Sequence, residues 1–549
     1  MSWPASLCLL FTQAGGNPVW NYFRRQVDPT LNPFRGLYQV NGFDLAMMLP
    51  YFLVLGVLAV YGLHRYWLVY DYFKYRRNVP GTPPEPADWP KVTIQLPFYN
   101  ERYVVERLVE AVAAFDYPRD RLEIQLLDDS TDETIEIARG VAERYRSLGF
   151  AIACHHRDNR LGFKAGALQA GLRHATGEFI AIFDADFLPP ADFLRRTLPY
   201  FLADPKVGMV QTRWSYLNRH YSALTEIEAI LLDGHFVVEH GARSRRGVFF
   251  NFNGTAGIWR RRTIEDAGGW EHDTLTEDTD LSYRAQLRGW QFLYLPQIEC
   301  PSELPVEMNA FKTQQARWAK GLMQTAKKTL PQVFRSNASF RIKAEAFLHL
   351  TANISYPLMV TLSVILLPAM IVRFYQGWFQ MLLIDLPLFL ASTCSVSGFY
   401  LVSQRELNPK NWRRTFLYLP LVMAVGIGLS VRNARAVIEA LLGVRSEFTR
   451  TPKYRIEGKQ KIGMKAKAYR RGAGWEPLVE IALGLYFIAT IAYAIQNETY
   501  ATIPFLLLFV WGYLYTGCMS LSQGYFERLR TPATSTAETR PAAAGAPGF

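Results

Sequence analysis

Cysteine is scarce in this sequence, and its few cysteines form no metal-binding or disulfide pattern. The chain of 549 residues has only five, with no Cys-x-x-Cys spacing: Cys8, Cys154, Cys300, Cys394 and Cys518. A disulfide framework and a thiolate zinc site are therefore not predicted. Charged residues are also few, at 20%, while hydrophobic residues make up 50%, which excludes disorder of the whole chain.

Charge is missing above all from long runs near both ends of the chain. A bilayer core about 30 Å thick requires about 20 apolar residues in a helix. Six uncharged runs approach that length: 45–63, 346–372, 386–404, 415–431, 481–497 and 499–526. The sequence predicts an N-terminal segment (1–42), a transmembrane helix (43–69), a cytoplasmic domain (70–345), transmembrane and interfacial helices (346–526) and a disordered tail (527–549).

Basic residues beside these runs predict the orientation. Lys74, Arg76 and Arg77 follow the first run, and a second basic group follows 386–404. Because loops rich in Lys and Arg stay in the cytoplasm, the domain at 70–345 is predicted to be cytoplasmic. The net charge of +12 is attributed to contacts with anionic membrane lipids and not to nucleic acid, since the basic residues cluster beside the runs.

Residues 415–444 leave two alternatives open. A span at 415–431 would put the basic stretch that follows it outside the cell, against the charge rule. We therefore favour an interfacial or re-entrant element, with Ala436, Val437 and Ala440 on its amphipathic face. The alternative is a true span. With the interfacial element, five spans cross the membrane.

In the middle region, short apolar runs alternate with longer helical patterns. Strands are predicted at 92–96, 124–127, 151–154, 179–183 and 207–211, and helices between them at 104–115, 131–148, 164–174 and 193–202. This alternation predicts an α/β domain with a largely parallel sheet covered on both faces. Ligands of such domains bind at the carboxyl ends of the strands.

Acidic residues follow three of these strands. Glu101 comes after the first, Asp128 and Asp129 after the second, and Asp184 and Asp186 after the fourth. Carboxylates two positions apart can hold a divalent cation, Mg²⁺ or Mn²⁺, that binds a diphosphate. Taken singly, the acids after the second strand fit a helix N-cap and those after the fourth fit a turn. Their occurrence at one sheet edge favours a site for a substrate that carries a diphosphate.

Two helix starts add candidate residues. Lys164 follows a strand and opens a helix, so that a phosphate could meet both its ammonium and the helix N-terminus; a solvated surface lysine is the alternative. Glu277 and Asp278 stand in the first turn of another predicted helix. Carboxylates there either complement the helix dipole or supply a general base that points into a cleft.

A further helix, ahead of the second apolar run, carries Gln314, Arg317 and Trp318 on one face. Arginine suits a leaving diphosphate, and tryptophan offers a flat surface on which a sugar ring can stack. An amphipathic helix on the membrane surface is the alternative.

These motifs, in this order and between membrane runs, resemble the processive family 2 glycosyltransferases, which are typified by cellulose synthases. The segment 253–260 looks more like the cellulose-synthase-like glucomannan mannosyltransferases and their glucan synthase relatives. Residues 448–453 resemble the family's gating loop, Phe-x-Val-Thr-x-Lys, with Phe448, Thr451 and Lys453 in place and Arg450 where valine is usual. The gating-like loop then lies near 445–475.

The resemblance implies a GT-A (Rossmann-like) domain and an inverting hexosyltransferase. Such an enzyme polymerises a β-linked hexose chain, of β-glucan or β-mannan type and 1,4-linked, from a nucleotide sugar and translocates it across the membrane. Asp278 is implied to be the base. The residues implied to bind the donor are Glu101, Asp128, Asp129, Lys164, Asp184, Asp186 and Arg317, and of these Asp184 and Asp186 also bind the metal. The residues implied to bind the acceptor are Glu277, Gln314 and Trp318.

The donor stays open between UDP-glucose, which we favour, and GDP-mannose. By the same resemblance, the enzyme is expected in the plasma (inner) membrane, or in the Golgi if it is eukaryotic. Two alternatives are kept. One is transfer of a single sugar to a lipid acceptor. The other is a transporter with a regulatory cytoplasmic domain, which the scarcity of charge within the spans disfavours.

Overall fold

The computed structural model describes residues 40–376, 387–388, 390–444, 451, 453–458 and 474–530, without the side chains of 376 and 524–530. The predicted N-terminal segment and the predicted tail lie almost wholly outside these residues. Phe448 also lies outside them.

A seven-stranded sheet forms the centre of the domain. Its strands are β1 Val92–Phe98, β2 Leu122–Asp128, β3 Ala151–His156, β4 Phe179–Ile182, β5 Val207–Tyr216, β6 Gly257–Arg260 and β7 Gln291–Ser302. They lie in the order β3-β2-β1-β4-β6-β5-β7. Strand β6 runs antiparallel to both of its neighbours, β4 and β5, while the other pairs are parallel.

Helices cover both faces of the sheet. Those of the domain are α2 Val105–Ala113, α3 Thr134–Ser147, α4 Phe163–His174, α5 Phe193–Ala203, α6 Ala223–Asp233, α7 Gly241–Arg246, α8 Arg261–Asp266, α9 Glu277–Leu287 and α10 Met308–Arg335. A π-helix, Gly234–His240, joins α6 to α7. Strands β1 and β4 are buried along their whole length, as expected for parallel strands with helices on both sides.

The remaining helices are predominantly apolar. They are α1 Gly42–Lys74 ahead of the domain, and α11 Phe340–Thr351, α12 Ser355–Gln376, α13 Ser395–Leu407, α14 Thr415–Gly428, α15 Ser430–Leu441, α16 Glu476–Gln496 and α17 Ile503–Arg530 after it.

All five predicted strands and four predicted helices of the α/β pattern lie where the sequence placed them, within a few residues. Two strands were missed. Strand β6 has only four residues, and β7 contains Pro296 and Pro301, which interrupt the apolar alternation on which strand prediction rests. The sheet is therefore mixed, although most of its pairs are parallel.

Among the described residues, four segments are long and apolar enough to cross a membrane: Gly42–Lys74, Phe340–Tyr375, Glu476–Gln496 and Tyr500–Gln523. They support the prediction of an integral membrane protein. A fifth candidate is the pair Trp412–Gly428 and Ser430–Leu441, which is bent by 43°. Such a bend suits a broken span or a re-entrant element, so both alternatives for this region stay open. The predicted span 386–404 lies partly outside the described residues.

Helix α10 joins the domain to the apolar helices through a buried ion pair. Lys312 Nζ lies 2.6 Å from Glu480 Oε2 of α16, with side-chain exposures of 1% and 0%. The same ammonium donates to Ser520 Oγ of α17 at 3.1 Å. Because both charges are withdrawn from water, each depends on the other for its stabilisation.

Replacing Lys312 with Met should therefore lower the free energy of unfolding by about 3–5 kcal/mol, because it leaves the Glu480 charge buried and unpaired. The double replacement Lys312→Met with Glu480→Leu should recover most of this loss, since it removes both charges. Denaturant unfolding of the detergent-solubilised protein, followed by tryptophan fluorescence, measures the free energy of unfolding of the single and the double variant. An equal loss in the double variant would contradict this account.

Candidate active site

A cleft opens at the carboxyl ends of β1, β2 and β4 and is closed on one side by α9 and α10. It encloses about 1230 Å³ of space, part of it open to solvent. Of the residues predicted to form the site and described in the structure, all except Asp128 line it: Glu101, Asp129, Lys164, Asp184, Asp186, Glu277, Asp278, Gln314, Arg317, Trp318, Thr451 and Lys453. Residues as far apart in sequence as Glu101 and Lys453 therefore share one cleft.

Asp128, the last residue of β2, and Asp129, which follows it, differ in their position relative to the cleft. Asp128 is buried beneath the cleft, where its Oδ1 accepts from the Ser130 amide at 2.8 Å and its Oδ2 contacts His156 Nδ1 at 2.8 Å. Asp129 lines the cleft, and Arg157 donates to both of its oxygens, through Nε at 2.7 Å and Nη2 at 2.5 Å. The geometry therefore favours Asp129 for contact with the donor and gives Asp128 a positioning role.

The two aspartates after β4 are each paired with a lysine. Lys164 Nζ donates to Asp184 Oδ1 and, at 2.9 Å, to the Gly254 carbonyl. Lys453 Nζ donates to Asp186 Oδ2 at 2.7 Å and to the Glu303 carbonyl at 3.1 Å. Burial alone would lower the pKa of Lys164, but its interactions with Asp184 and the neighbouring acids raise it. Both lysines therefore bring positive charge to the place where phosphates are expected.

This donor set fits a divalent cation. Asp184 and Asp186 follow one strand and straddle Ala185, and the Asp184 side chain is 34% exposed at the cleft. Few carboxylate ligands combined with phosphate oxygens suit Mg²⁺ and equally Mn²⁺.

A second acidic group lies outside the cleft lining. Carboxylate oxygens of Glu271, Asp273 and Asp280 lie within 4.8 Å of one another. Lys328 Nζ pairs with all three, at 2.5, 2.7 and 3.0 Å, and Arg284 binds Asp280 at 2.7 Å. These cations neutralise the acidic group. Because Lys328 belongs to α10 and Asp280 to α9, the ion pairs connect the two helices.

Asp278 occupies the first turn of α9 with its carboxyl facing the cleft. Its Oδ1 accepts from the Thr279 amide at 2.7 Å. Burial, followed by the neighbouring Glu277 carboxylate, raises the pKa of Asp278 to about 7. A carboxyl with a pKa near neutrality is suited to take a proton from a hydroxyl.

Helix α10 approaches the start of α9 so closely that only glycine fits at the contact. A Cβ on Gly321 would lie 2.6 Å from Thr276 Cγ2 and 2.9 Å from the Leu275 carbonyl carbon. Gln324 Oε1 also accepts from the Leu275 amide at 2.9 Å. The helix that carries Arg317 and the turn that carries the Asp278 carboxyl are therefore held as one unit.

The described part of the gating-like loop is fixed by a residue that the sequence analysis missed. Glu303 Oε1 and Oε2 accept from the Tyr454 and Arg455 amides, each at 2.8 Å. Glu303 directly follows β7, so the rule that functional residues stand after strands would have found it if that strand had been predicted. Arg160 and Trp214 are among the other lining residues that were missed. Neither belongs to a motif with a readable spacing.

Gly254 packs against the reactive groups, and this contact gives a prediction. Its φ is +80°, and a Cβ there would lie 3.1 Å from Asp278 Oδ2 and 3.4 Å from Lys164 Nζ. We expect Gly254→Ala to lower sugar transfer about 10- to 100-fold, because it displaces the carboxyl. Strain at positive φ should also lower the free energy of unfolding by about 1–2 kcal/mol.

Gly247 is the matched control. Its φ is +72°, but no atom of the described residues lies within 4 Å of the position that a Cβ would occupy there. Gly247→Ala should therefore show the same loss of stability with transfer unchanged, as measured by thermal unfolding and nucleotide release. Similar activity of the two variants would contradict the proposed contact.

The part of the chain that carries this site is similar to known glycosyltransferases. Residues 90–321 match the family model described as "Glycosyltransferase like family 2". Glucomannan 4-beta-mannosyltransferase 2 of Arabidopsis thaliana is 43% identical over 254 residues, 46% of this chain and 48% of that protein. Glucomannan 4-beta-mannosyltransferase 1 of Oryza sativa subsp. japonica is 43% identical over 264 residues, 47% of this chain and 51% of that protein. The chain spans about half the length of these curated relatives.

Among solved structures, a mannosyltransferase from Pyrobaculum calidifontis in complex with GDP-Man and Mn²⁺ matches with a TM-score of 0.46 and 22% identity. The match covers 71% of this chain and 100% of that one.

Residues 90–321 thus match a glycosyltransferase family 2 model, and they contain the mixed sheet with a cleft at its strand ends, flanked by apolar helices. The predicted α/β domain between apolar helices is confirmed, and the matches agree with the predicted enzyme class. The resemblance to the cellulose-synthase-like glucomannan mannosyltransferases is confirmed as well.

Proposed function

We propose that this chain is an inverting glycosyltransferase, embedded in a membrane, that extends a β-1,4-linked hexose polysaccharide from a nucleotide sugar. The observation that carries the proposal is the juxtaposition of Asp278, Arg317 and Asp184 in one cleft. The pKa of the Asp278 carboxyl is raised to about 7. It shares the cleft with a guanidinium suited to a diphosphate and with a carboxylate suited to a divalent cation.

Asp278 acts as the base. It takes the proton from an acceptor hydroxyl as that oxygen attacks C1 of the donor sugar on the side opposite the diphosphate. The new C1–O bond forms while the bond from C1 to the phosphate oxygen breaks, and the nucleoside diphosphate leaves. Inversion at C1 needs one such carboxylate, in contrast to the two facing carboxylates of a glycoside hydrolase.

The leaving group is stabilised by cations of the chain. Arg317 offers the planar, permanently charged donor that suits phosphate oxygens, and Lys164 adds a second positive charge. Asp184 and Asp186 are the residues that would hold Mg²⁺ or Mn²⁺, which when bound neutralises charge on the departing diphosphate. Asp129 and Glu101 line the part of the cleft assigned to the base and ribose.

For the transferred sugar, the names of the relatives favour mannose over glucose, which the sequence analysis had favoured. The curated relatives are named glucomannan 4-beta-mannosyltransferases. We therefore propose GDP-mannose as the main donor, with UDP-glucose as a second donor if the product is a glucomannan.

Processive synthesis and export are supported by the position of the cleft. Trp318 gives the acceptor a stacking surface, and α10 is tied through Lys312 to α16 and α17. The basic residues beside the apolar runs support a cytoplasmic location of the domain. The membrane that holds the enzyme is the plasma (inner) membrane, or the Golgi membrane in a eukaryotic cell.

The test is nucleotide release by the detergent-purified protein with Mg²⁺ or Mn²⁺, comparing GDP-mannose with UDP-glucose. The product is then digested with a β-1,4-mannanase and a β-1,4-glucanase and sized on a gel. We expect GDP release together with a mannanase-sensitive polymer. A product of one sugar on a lipid would reject processivity, and turnover of neither donor would overturn the proposed donor class.

A further inference from the structure

Glu228 lies on α6, between the cleft and the apolar helices. Leu224 and Ile227 of this helix belong to an apolar cluster with Phe399 of α13 and Leu419 of α14. Leu232, one turn after Glu228 and on the same side of α6, lines the cleft. Glu228 therefore stands at the boundary where a chain leaving the cleft would enter the apolar helices.

The carboxyl of Glu228 is buried without a partner. Its exposed fraction is 1%, and neither of its oxygens has a hydrogen-bond partner among the residues that the structure describes. Lys453, the charged group that acts on it, donates to Asp186 and to the Glu303 carbonyl. An unpaired buried carboxyl costs free energy of folding, so its presence needs an explanation.

Burial holds the pKa of the Glu228 carboxyl well above its usual range, and the Lys453 ammonium opposes this only in part. Burial therefore favours the protonated form of this carboxyl. A protonated carboxyl offers one O–H donor together with acceptor oxygens. That combination suits sugar hydroxyls, which both donate and accept, and it does not suit a metal ion or a phosphate.

Two residues that line the cleft also carry a buried polar atom, as Glu228 does. Trp214 Nε1 and Thr451 Oγ1 are buried and have no hydrogen-bond partner within the described parts of the chain. Both residues line the cleft. The Trp214 ring lies 5.0 Å from that of Phe236, in the π-helix that directly follows α6. Tyr515 of α17 packs against the apolar cluster that contains Leu224 and Ile227 of α6.

We propose that Glu228 binds a sugar unit of the acceptor chain, behind the unit that Asp278 deprotonates, as the chain leaves the cleft toward the apolar helices. Trp214 and Thr451 contribute hydrogen bonds to the same product-side subsite. The inference rests on the proposed function, because it requires an acceptor that is a glycan of several units.

The experiment uses two replacements at this position. Glu228→Met removes the hydrogen bonds and the unpaired polar group, whereas Glu228→Gln keeps a donor and an acceptor. KM is measured for GDP-mannose and for β-1,4-mannooligosaccharides of two to six units, together with product length and the midpoint of thermal unfolding. For Glu228→Met we expect the KM of the hexasaccharide to rise about tenfold and the product to shorten. The donor KM should not change, and the unfolding midpoint should stay equal or rise.

Glu228→Gln should stay within about threefold of the wild-type acceptor KM, because it retains hydrogen bonding. The matched control is Glu226→Gln on the same helix, where Oε1 accepts from Arg219 Nε at 2.9 Å. This variant should lower the unfolding midpoint and leave the acceptor KM unchanged. A residue that served only the fold would behave like Glu226.

Unchanged acceptor kinetics in Glu228→Met, while the wild type elongates the hexasaccharide, would overturn the subsite and leave the proposed function standing. A fall of the unfolding midpoint in parallel with activity would also overturn it. Failure of the wild type to elongate any oligosaccharide would overturn the proposed function and, with it, the subsite.

Discussion

Replacing Asp278 with Asn is expected to lower the rate of sugar transfer by about 10²- to 10⁴-fold, the range that a positioned general base contributes. Asparagine has nearly the same shape as aspartate but cannot take the proton from the acceptor hydroxyl. Nucleotide binding should be almost intact, because the donor contacts are assigned to residues that follow β1, β2 and β4 and to residues of α4 and α10.

Nucleotide release and equilibrium binding of the nucleoside diphosphate to the purified variant measure the two effects separately. Asp120→Asn is the control, since that side chain is 80% exposed and lies outside the cleft lining. Full activity of Asp278→Asn would refute the assignment of the base, and lost nucleotide binding would show that the carboxyl serves the donor instead.

The pH profile gives an independent check of the same assignment. A base acts in its deprotonated form, and the pKa of Asp278 is raised to about 7 by burial first and by Glu277 second. Activity should therefore be near its maximum above that pH and fall as the pH drops through it, by about tenfold per pH unit well below the pKa. A flat profile between pH 6 and 8 would contradict the shifted pKa.

The parallel half of the fold could be predicted because its signals are local. Strands β1 to β4 are short apolar runs with helices between them, and acids follow them at a common edge. Strand β7 breaks that pattern, because it contains Pro296 and Pro301. Proline is tolerated there because β7 is an edge strand, and its pairing with β5 is irregular at Thr212 and Arg213. Strand β6 is too short to give any periodicity.

For the site, the motif residues were predictable, but the contacts between them were not. Lys453 reaches Asp186 across 267 positions, and no local pattern records such a pairing. The choice between Asp128 and Asp129 likewise depends on His156 and Arg157, at the end of β3 and just beyond it. Glu228 belongs to no motif, and what distinguishes it is its burial without a hydrogen-bond partner among the described residues.

Replacing Arg317 with Ala is expected to lower turnover by about 10²- to 10³-fold, the loss found when one preorganised donor to developing negative charge is removed. Arg317 lines the cleft beside Glu277, Asp184 and Asp278, whose charges oppose the effect of burial on the pKa of the guanidinium. Under the proposed function, its charge stabilises the diphosphate as it separates from the sugar. Arg317→Lys should recover part of the loss, since it keeps the charge without the planar pair of donors.

The pH profile separates this role from a purely structural one. Arg317 is one of the groups that lower the pKa of Asp278 against burial and Glu277. Its removal should raise that pKa, so the acid limb of Arg317→Ala should move to higher pH, while that of Arg317→Lys stays in place. Arg335→Ala, at the exposed end of the same helix, should change neither rate nor profile. An unshifted acid limb in Arg317→Ala, together with wild-type turnover, would place the guanidinium outside the reaction and leave Lys164 as the cation that faces the leaving group.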